Sequence, residues 1–414
     1  MKKVMVVGAG RGQIPVMDLC HKYGCKVIAV SPKGNYPGLN VADEICYQDV
    51  KDKEQVLELA RKYEVEAIVT DQLDAGVVTV AYVAEKIGLR GITYDIAIKF
   101  TNKFFMRQAA EKAGIAVPKF ICASSVDELI RRLEQNEELQ FPLMMKPIDS
   151  AASRGVYKVH SIYDIQQKFD MSQQYSKSKK VILEQFIVGK EYVVEAYTRN
   201  KVVKNLIVGH RDYFNVEDTF IPNATVFTDA DSANSAVELK LKETNEKLIE
   251  HFGLEFGITH GEYLYVEELD TVYLVEIAAR GGGVFISSDL IPAACGINAN
   301  ELLVQDVLGI SNKEEITLKK GASAYFCYLT PEGVINKIEG IDEVENIEGV
   351  YKAFFDNIEL GMVSKSIRDK SSRKGPILVQ GKSKEECYKI IEKVKELIDI
   401  EVDGRDGKEN IIWN

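Results

Sequence analysis

No stretch of this 414-residue sequence approaches the roughly 20 consecutive apolar residues that a membrane span needs, so none is expected to cross a bilayer. Cysteine is sparse and scattered. The seven (Cys20, Cys25, Cys46, Cys122, Cys295, Cys327, Cys387) form no C-x-x-C pair and no Cys/His cluster, which argues against zinc and against a disulfide framework. Free thiols in apolar or helical stretches suit a reducing compartment, so cytoplasmic residence is the expectation. Positive charge is in deficit: 52 Lys and Arg stand against 63 Asp and Glu, a formal net charge of −11. Such a surface repels polyanions, and nucleic acid is not an expected partner, although a cleft can still gather a few cations for a small phosphorylated ligand. Low-complexity tracts and internal repeats are also missing. What remains, 46% hydrophobic and 28% charged, is the composition of a globular chain.

The opening Lys2-Lys3 followed by Val4 to Val7 has the basic start of a secretory leader, but the apolar run stops after four residues at Gly8. A first β-strand is expected there instead. Strand and helix signals then alternate: a helix from about Gln13 to Tyr23, a strand from Lys26 to Val30, a helix from about Lys53 to Tyr63 and a strand from Ala67 to Thr70. That order predicts a doubly wound parallel sheet. Gly8-Ala9-Gly10-Arg11-Gly12 falls at the first strand-to-helix turn, where a dinucleotide would dock. The second strand, however, ends Ala29-Val30-Ser31-Pro32, without the acid that holds a ribose 2′-hydroxyl, and a tight turn lining a substrate cleft is the better reading.

From Thr101 the pattern changes to a helix over Asn102 to Ala113, closed by Gly114, then to short strands in hairpin-like succession up to Ala279. A helical passage near Asn298 to Leu308 follows. The last hundred residues give strands over 322–329 and 375–380 and an amphipathic helix over Lys384 to Ile398, with Cys387, Ile390, Ile391, Val394 and Ile398 on one face. The fold class expected is α/β followed by α+β.

Several residues stand out for chemistry. Lys103 opens a helix, where the helix dipole prefers an acid; a phosphate in a cleft would offset the misplacement. Lys146 ends the apolar strand Pro142 to Pro147 and precedes a loop of small residues, with Ser150, Ser153 and Gly155, whose amides can approach phosphates while the lysine supplies a point charge. Further on, Val181 to Glu191 reads as a strand, a break at Gly189 and a new strand. Phe186 and Ile187 would wall a purine, and Glu191 would accept from ribose hydroxyls.

The hairpin His260 to Glu276 gives the sharpest signal. Pairing about residue 269 sets Val266 against Val272, Leu264 against Leu274, and Glu262 against Glu276. Two opposed carboxylates on an apolar face need a shared proton, an intervening basic side chain or a divalent cation between them; the alternative is a register that splits the acids, or a solvated sheet end. Oxygen-only ligands would suit magnesium or manganese. Arg280, ahead of Gly281-Gly282-Gly283, adds a guanidinium and close-approach backbone suited to an anionic substrate.

Taken in order, these lysines, the Glu184-Gln185-Phe186-Ile187 segment with Glu191, the two acids and Glu276-Ile277-Ala278-Ala279-Arg280 resemble the ATP-grasp superfamily. The likeness is to its L-amino-acid-ligase-like, carbamoyl-phosphate-synthase-like and phosphoribosylglycinamide-synthetase-like branches. It implies a pre-ATP-grasp domain over 1–100, an ATP-grasp domain over 101–312 and a C-terminal α+β lobe over 313–414. It further implies ATP with Mg2+ (or Mn2+). Lys103 and Lys146 would contact phosphates under the Ser150, Ser153 and Gly155 loop. Glu184 to Ile187 would hold adenine, Glu191 the ribose, and Glu262 and Glu276 the metal. Arg280, beside Gly282 and Gly283, would bind the acyl phosphate or substrate carboxylate, with Arg211, His260 and His210 on the substrate side. Many members carry Asn where this chain has Ala278, which leaves the second metal's coordination open. The activity implied is ADP-forming ligation of a small-molecule carboxylate to an amine or ammonia. Glycinamide-synthetase-like or carbamoyl-phosphate-like chemistry and a non-catalytic nucleotide-binding module are the alternatives. A homodimer is in keeping with the resemblance.

Overall fold

The computed structural model describes residues 1–151, 153–216, 221–310, 315–367, 370–405 and 407–414. Ala152 of the small-residue loop and the expected boundary at 312–313 lie outside them. No helix among the described residues is long and apolar enough to cross a membrane.

The chain opens with a parallel sheet in the order β3-β2-β1-β4, from β1 (Lys3–Val7), β2 (Lys26–Ser31), β3 (Glu44–Tyr47) and β4 (Ala67–Val69). Its strands are nearly all apolar because both faces are covered. Val4 and Val6 meet Val16, Met17 and Cys20 of α1 (Ile14–Lys22). On the other face Met5 and Val7 meet α2 (Lys53–Tyr63) and α3 (Asp74–Ile87). The doubly wound expectation therefore holds. The glycine turn after β1 is closed on itself: Gly8 N donates to Val30 O and Gly10 N to the buried Gln13 side chain.

Next come α4 (Tyr94–Thr101) and α5 (Lys103–Lys112). Asn102 caps α5, its side chain accepting from Phe104 N and Phe105 N, so Lys103 is the first helical residue. A small antiparallel sheet, ordered β5-β8-β6-β7, is built from β5 (Phe120–Ala123), β6 (Leu143–Pro147), β7 (Tyr157–Val159) and β8 (Val181–Gln185). Two helices, α6 (Val126–Glu134) and α7 (Ile162–Gln173), cover one face of it.

The largest sheet is antiparallel. It takes β9 (Lys190–Arg199), β10 (Val202–Tyr213), β11 (Pro222–Asp229), β12 (Gly257–Val266) and β13 (Thr271–Ala278). It continues through β14 (Ala322–Tyr328), β16 (Val350–Ala353) and β18 (Lys374–Gly381), in the order β13-β12-β9-β10-β11-β14-β18-β16. The C-terminal lobe thus shares its backbone ladder with the middle of the chain, since Ala224 of β11 pairs with Phe326 of β14. Strands β15 (Gly333–Glu339), β17 (Val363–Ser364), β19 (Asp399–Gly404) and β20 (Gly407–Asn410) complete the lobe.

Alternation on β9 decides where the chemistry lies. Val194 and Ala196 point into the core with Leu241, Leu248 and Phe252 of α8 (Ala236–Phe252). Val193 and Tyr197 point to the opposite face, against the N-terminal domain and α10 (Ala299–Val307). Glu191 and Glu195 share that second face.

Candidate active site

Glu262 and Glu276 oppose each other on β12 and β13, as the count of the hairpin predicts. The remaining register differs. Tyr263 lies opposite Leu274, Leu264 opposite Tyr273 and Val266 opposite Thr271, so the expected Leu264/Leu274 and Val266/Val272 pairs do not form. A β-bulge inserts Val275 between the acid pair and the rest of the ladder, and every pair nearer the turn moves by one. Arg107 of α5 donates to the carbonyl of that extra residue at 2.7 Å.

Of the three ways to tolerate opposed carboxylates, the structure shows intervening bases. Arg211 Nη1 lies 2.8 Å from Glu262 Oε1, and Lys103 Nζ lies 3.0 Å from Glu276 Oε1. Burial alone would raise the Glu262 carboxyl, but Arg211, helped by His260, holds it well below the usual carboxylate range. Arg211 also pairs with Glu191, which accepts a further bond from the Tyr213 hydroxyl. Lys103 donates to Ser150 O at 2.8 Å and so ties the small-residue loop to the acid pair.

His260 stands between acids, its Nδ1 on Glu195 and its Nε2 3.1 Å from Glu262. Burial disfavours a charged imidazole, yet the two carboxylates outweigh it and push His260 up to about 9. Glu195 accepts from Gly282 N at 3.2 Å, which fixes the glycine turn after β13. That turn is held from the other side by the N-terminal domain. Arg280 makes a bidentate pair with Asp74, both bonds 2.9 Å, and Gly281 N donates to the fully buried Asp71 at 2.7 Å. His210, by contrast, leaves the site: it points to the other face of the sheet and meets the Tyr388 hydroxyl at 2.8 Å.

On the facing wall, Lys146 Nζ lies 2.7 Å from Glu184 Oε2, and Arg107 Nε lies 2.8 Å from Glu184 Oε1. The two cations overcome the burial of Glu184 and hold its carboxyl down at about 2. Gln185 ends β8, and Phe186 and Ile187 run on, outside any strand, toward β9; the Lys158 ammonium sits 4.1 Å from the Phe186 ring centre. Ser153 is exposed in the loop at φ +57°, and Gly155 follows at φ +74°. A Cβ on Gly155 would fall 2.9 Å from the Tyr175 ring.

Among the described residues no three His, Cys, Asp or Glu side chains are placed to hold a metal. Two facing carboxylates fit magnesium nonetheless, because that ion takes one or two protein acids and draws its other ligands from phosphates and water.

Arg107, Glu195, Asp71 and Asp74 were not singled out in the sequence, yet each had a signal. Arg107 follows Lys103 by one helical turn, and Glu195 shares a strand face with Glu191. Asp71 and Asp74 lie just past the carboxyl end of a parallel strand, where such sheets hold ligands. None of these signals fixes a partner, which lies far along the chain, from 65 residues for Glu195 and His260 to 210 for Asp71 and Gly281.

Residues 139–289 match the model of the ATP-grasp domain, and residues 325–403 that of L-amino acid ligase C-terminal domain 2. A formate-dependent phosphoribosylglycinamide formyltransferase of Bacteroides fragilis is 28% identical over 170 residues. That stretch is 39% of this chain and 41% of the relative, so the match spans about two fifths of the relative's length. A protein of the same name from Prochlorococcus marinus is 26% identical over 400 residues, 93% of each chain. In fold, the chain is similar to an L-amino acid ligase from Bacillus licheniformis, with a TM-score of 0.78 and 20% identity over 97% of this chain and 98% of that one. Two family models are thus matched in chain order, an ATP-grasp domain and then the C-terminal domain of an L-amino acid ligase, on a fold similar to that of such a ligase from end to end.

Proposed function

We propose that this protein is an ATP-dependent, ADP-forming ligase that joins a small-molecule carboxylate, such as an amino acid, to an amine or ammonia. The observation that carries this reading is the facing pair Glu262 and Glu276, with Lys103 on one acid and Arg280 one strand-end away. In the reaction a substrate carboxylate oxygen attacks the γ-phosphorus, the β–γ bond breaks, and ADP and an acyl phosphate form. The amine nitrogen then attacks the acyl carbon, loses a proton, and phosphate leaves.

Each residue group has a part in that sequence. Lys103 and Lys146 neutralise phosphate oxygens, with Lys146 steadied by Glu184. The backbone of Ser150, Ser153 and Gly155 closes over the phosphates and keeps water from the acyl phosphate. Gln185 to Ile187 line the base, while Glu184, fully buried between Arg107 and Lys146, sits behind them instead of on the base, and Glu191 accepts from the ribose. Glu262 and Glu276 would hold Mg2+ or Mn2+, which supplies charge neutralisation at the γ-phosphoryl group. Arg280, kept rigid by Asp74, orients the reacting carboxylate or its phosphate, with Gly282 and Gly283 giving close backbone approach; Arg211 and His260 complete the wall. A homodimer in the cytoplasm is the setting proposed. A second reading, a formyltransferase- or glycinamide-synthetase-like activity, is favoured by the near full-length sequence likeness to the Prochlorococcus protein.

Mass spectrometry after incubation with Mg-ATP, pooled amino acids, other small carboxylates, formate, glycinamide ribonucleotide and ammonia separates these readings. ADP with a new amide mass supports the ligase; a formylated ribonucleotide supports the second reading; AMP contradicts the acyl-phosphate route. Lys146→Ala and Glu276→Gln should each lower ADP formation by at least about a hundredfold while the protein stays folded. Near-normal turnover in either removes that residue from the site.

A further inference from the structure

Glu262 carries two basic neighbours at hydrogen-bonding range, Arg211 Nη1 at 2.8 Å and His260 Nε2 at 3.1 Å. Little water reaches them: the side chains of Arg211 and Glu262 are 6% and 19% exposed. Glu276 has its own cation, Lys103, at 3.0 Å. A divalent ion approaching the two acids therefore meets fixed positive charge already seated on both. At Glu262, the drier of the two acids, that charge is weakly screened.

Arg211 is arranged for this task and not for holding the sheet together. Backbone ladders to β9 and β11 fix its strand without it. Its Nη1 is divided between Glu191 on β9 and Glu262 on β12, and its buried Nε has no hydrogen-bond partner among the described residues. A guanidinium serving only packing would turn its fork onto one carboxylate and satisfy more donors. Sharing leaves a donor orphaned, and what the sharing achieves is charge cancellation at two acids at once.

We propose that Arg211 is the internal counterion of Glu262, standing where a divalent cation would otherwise neutralise that acid, with Lys103 doing the same for Glu276. The inference rests on the reading of the two glutamates as the metal acids. It makes bare metal a weak ligand of this protein. Metal then enters with the nucleotide, whose phosphates add the ligands and the negative charge that outweigh Arg211 and Lys103.

The test measures Mn2+ binding to the full chain without nucleotide, near neutral pH, from the free-ion signal in electron paramagnetic resonance. Arg211→Met should bind Mn2+ at least about tenfold more tightly than the wild type, because a unit charge within a few ångströms of the ion is gone. Arg211→Lys, which keeps the charge, should stay within about threefold of the wild type. Unchanged or weaker binding in Arg211→Met overturns the proposal, and so does a lysine variant as tight as the methionine one. Glu262→Gln separates the two levels of the argument. If it loses Mn2+ while Arg211→Met fails to gain, the metal reading stands and the counterion role falls; if it binds as the wild type does, the metal reading falls and takes the proposal with it. Should Arg211→Met fail to fold by thermal melting, Lys103→Met takes its place with the same two readings.

Discussion

Arg280 and Asp74 are 206 residues apart in sequence and meet through two parallel N–H···O bonds of 2.9 Å, Nε to Oδ1 and Nη2 to Oδ2. The contact joins the first residue of α3, in the N-terminal domain, to the second residue past β13, the strand that carries Glu276. Their side chains are 27% and 14% exposed for Asp74 and Arg280, so the pair is largely shielded. The N-terminal domain thus contributes a fixed carboxylate that aims a guanidinium into the site.

Removing one partner of such a pair leaves the other buried and uncompensated. Asp74→Leu is expected to lower stability by about 3 kcal/mol, and Arg280→Met by a similar amount. The double variant should cost less than the two added together, by at least about 1 kcal/mol. Urea unfolding of the four proteins measures this. Strict additivity would show that the contact carries no coupling.

Acid should weaken the fold partly through Glu184. Its folded carboxyl is held at about 2 by Arg107 and Lys146 against the pull of burial, whereas an unfolded glutamate titrates near 4.3. A depressed folded value stabilises above the unfolded one and is lost as pH falls toward the folded one. The window is therefore from about pH 5 down to about pH 2, and the contribution lost is on the order of 3 kcal/mol. Glu184→Gln should be the less stable protein at pH 7, with the difference from wild type shrinking across that window. A constant difference in urea midpoints down to pH 3 would contradict the assignment.

The hairpin shows how far sequence carries the argument. Counting from an assumed centre at residue 269 places Glu262 opposite Glu276, yet the pairs nearest the turn run one out of that register, Val266 against Thr271, and the bulge restores the acid pair. The count misses the bulge at Val275, whose signal is tertiary: Arg107 accepts the task of bonding the spare carbonyl. Helix α5 was legible to within a residue, since Asn102 caps locally and Gly114, at φ +68°, ends the run. The junction of β11 with β14 was not, because the pairing of Ala224 with Phe326 spans three helices and the β12–β13 hairpin and leaves no periodic trace. For the same reason Lys103, Lys146, Glu262 and Glu276 could be read as functional from their own surroundings, while Glu195 and Asp74 acquire meaning only once their distant partners are in place.

The glycine turn after β13 offers the most discriminating substitution. A Cβ on Gly282 would fall 2.6 Å from Glu195 Oε1 and 2.8 Å from His260 Nδ1, both buried and both committed to each other. A Cβ on Gly283 would meet nothing within 4 Å, and its φ is not in the left-handed range. Gly282→Ala is therefore expected to force the Glu195–His260 pair apart, costing about 1–3 kcal/mol, with Gly283→Ala close to wild type. Thermal melting and ADP formation, measured on both, give the comparison. If the turn's closeness to Glu195 matters for the chemistry, Gly282→Ala loses turnover at temperatures where it remains folded, and Gly283→Ala does not. Equal melting points and equal turnover in the two alanine variants would mean that the backbone at 282 can withdraw without consequence, and that the bond from Gly282 N to Glu195 does not fix the turn.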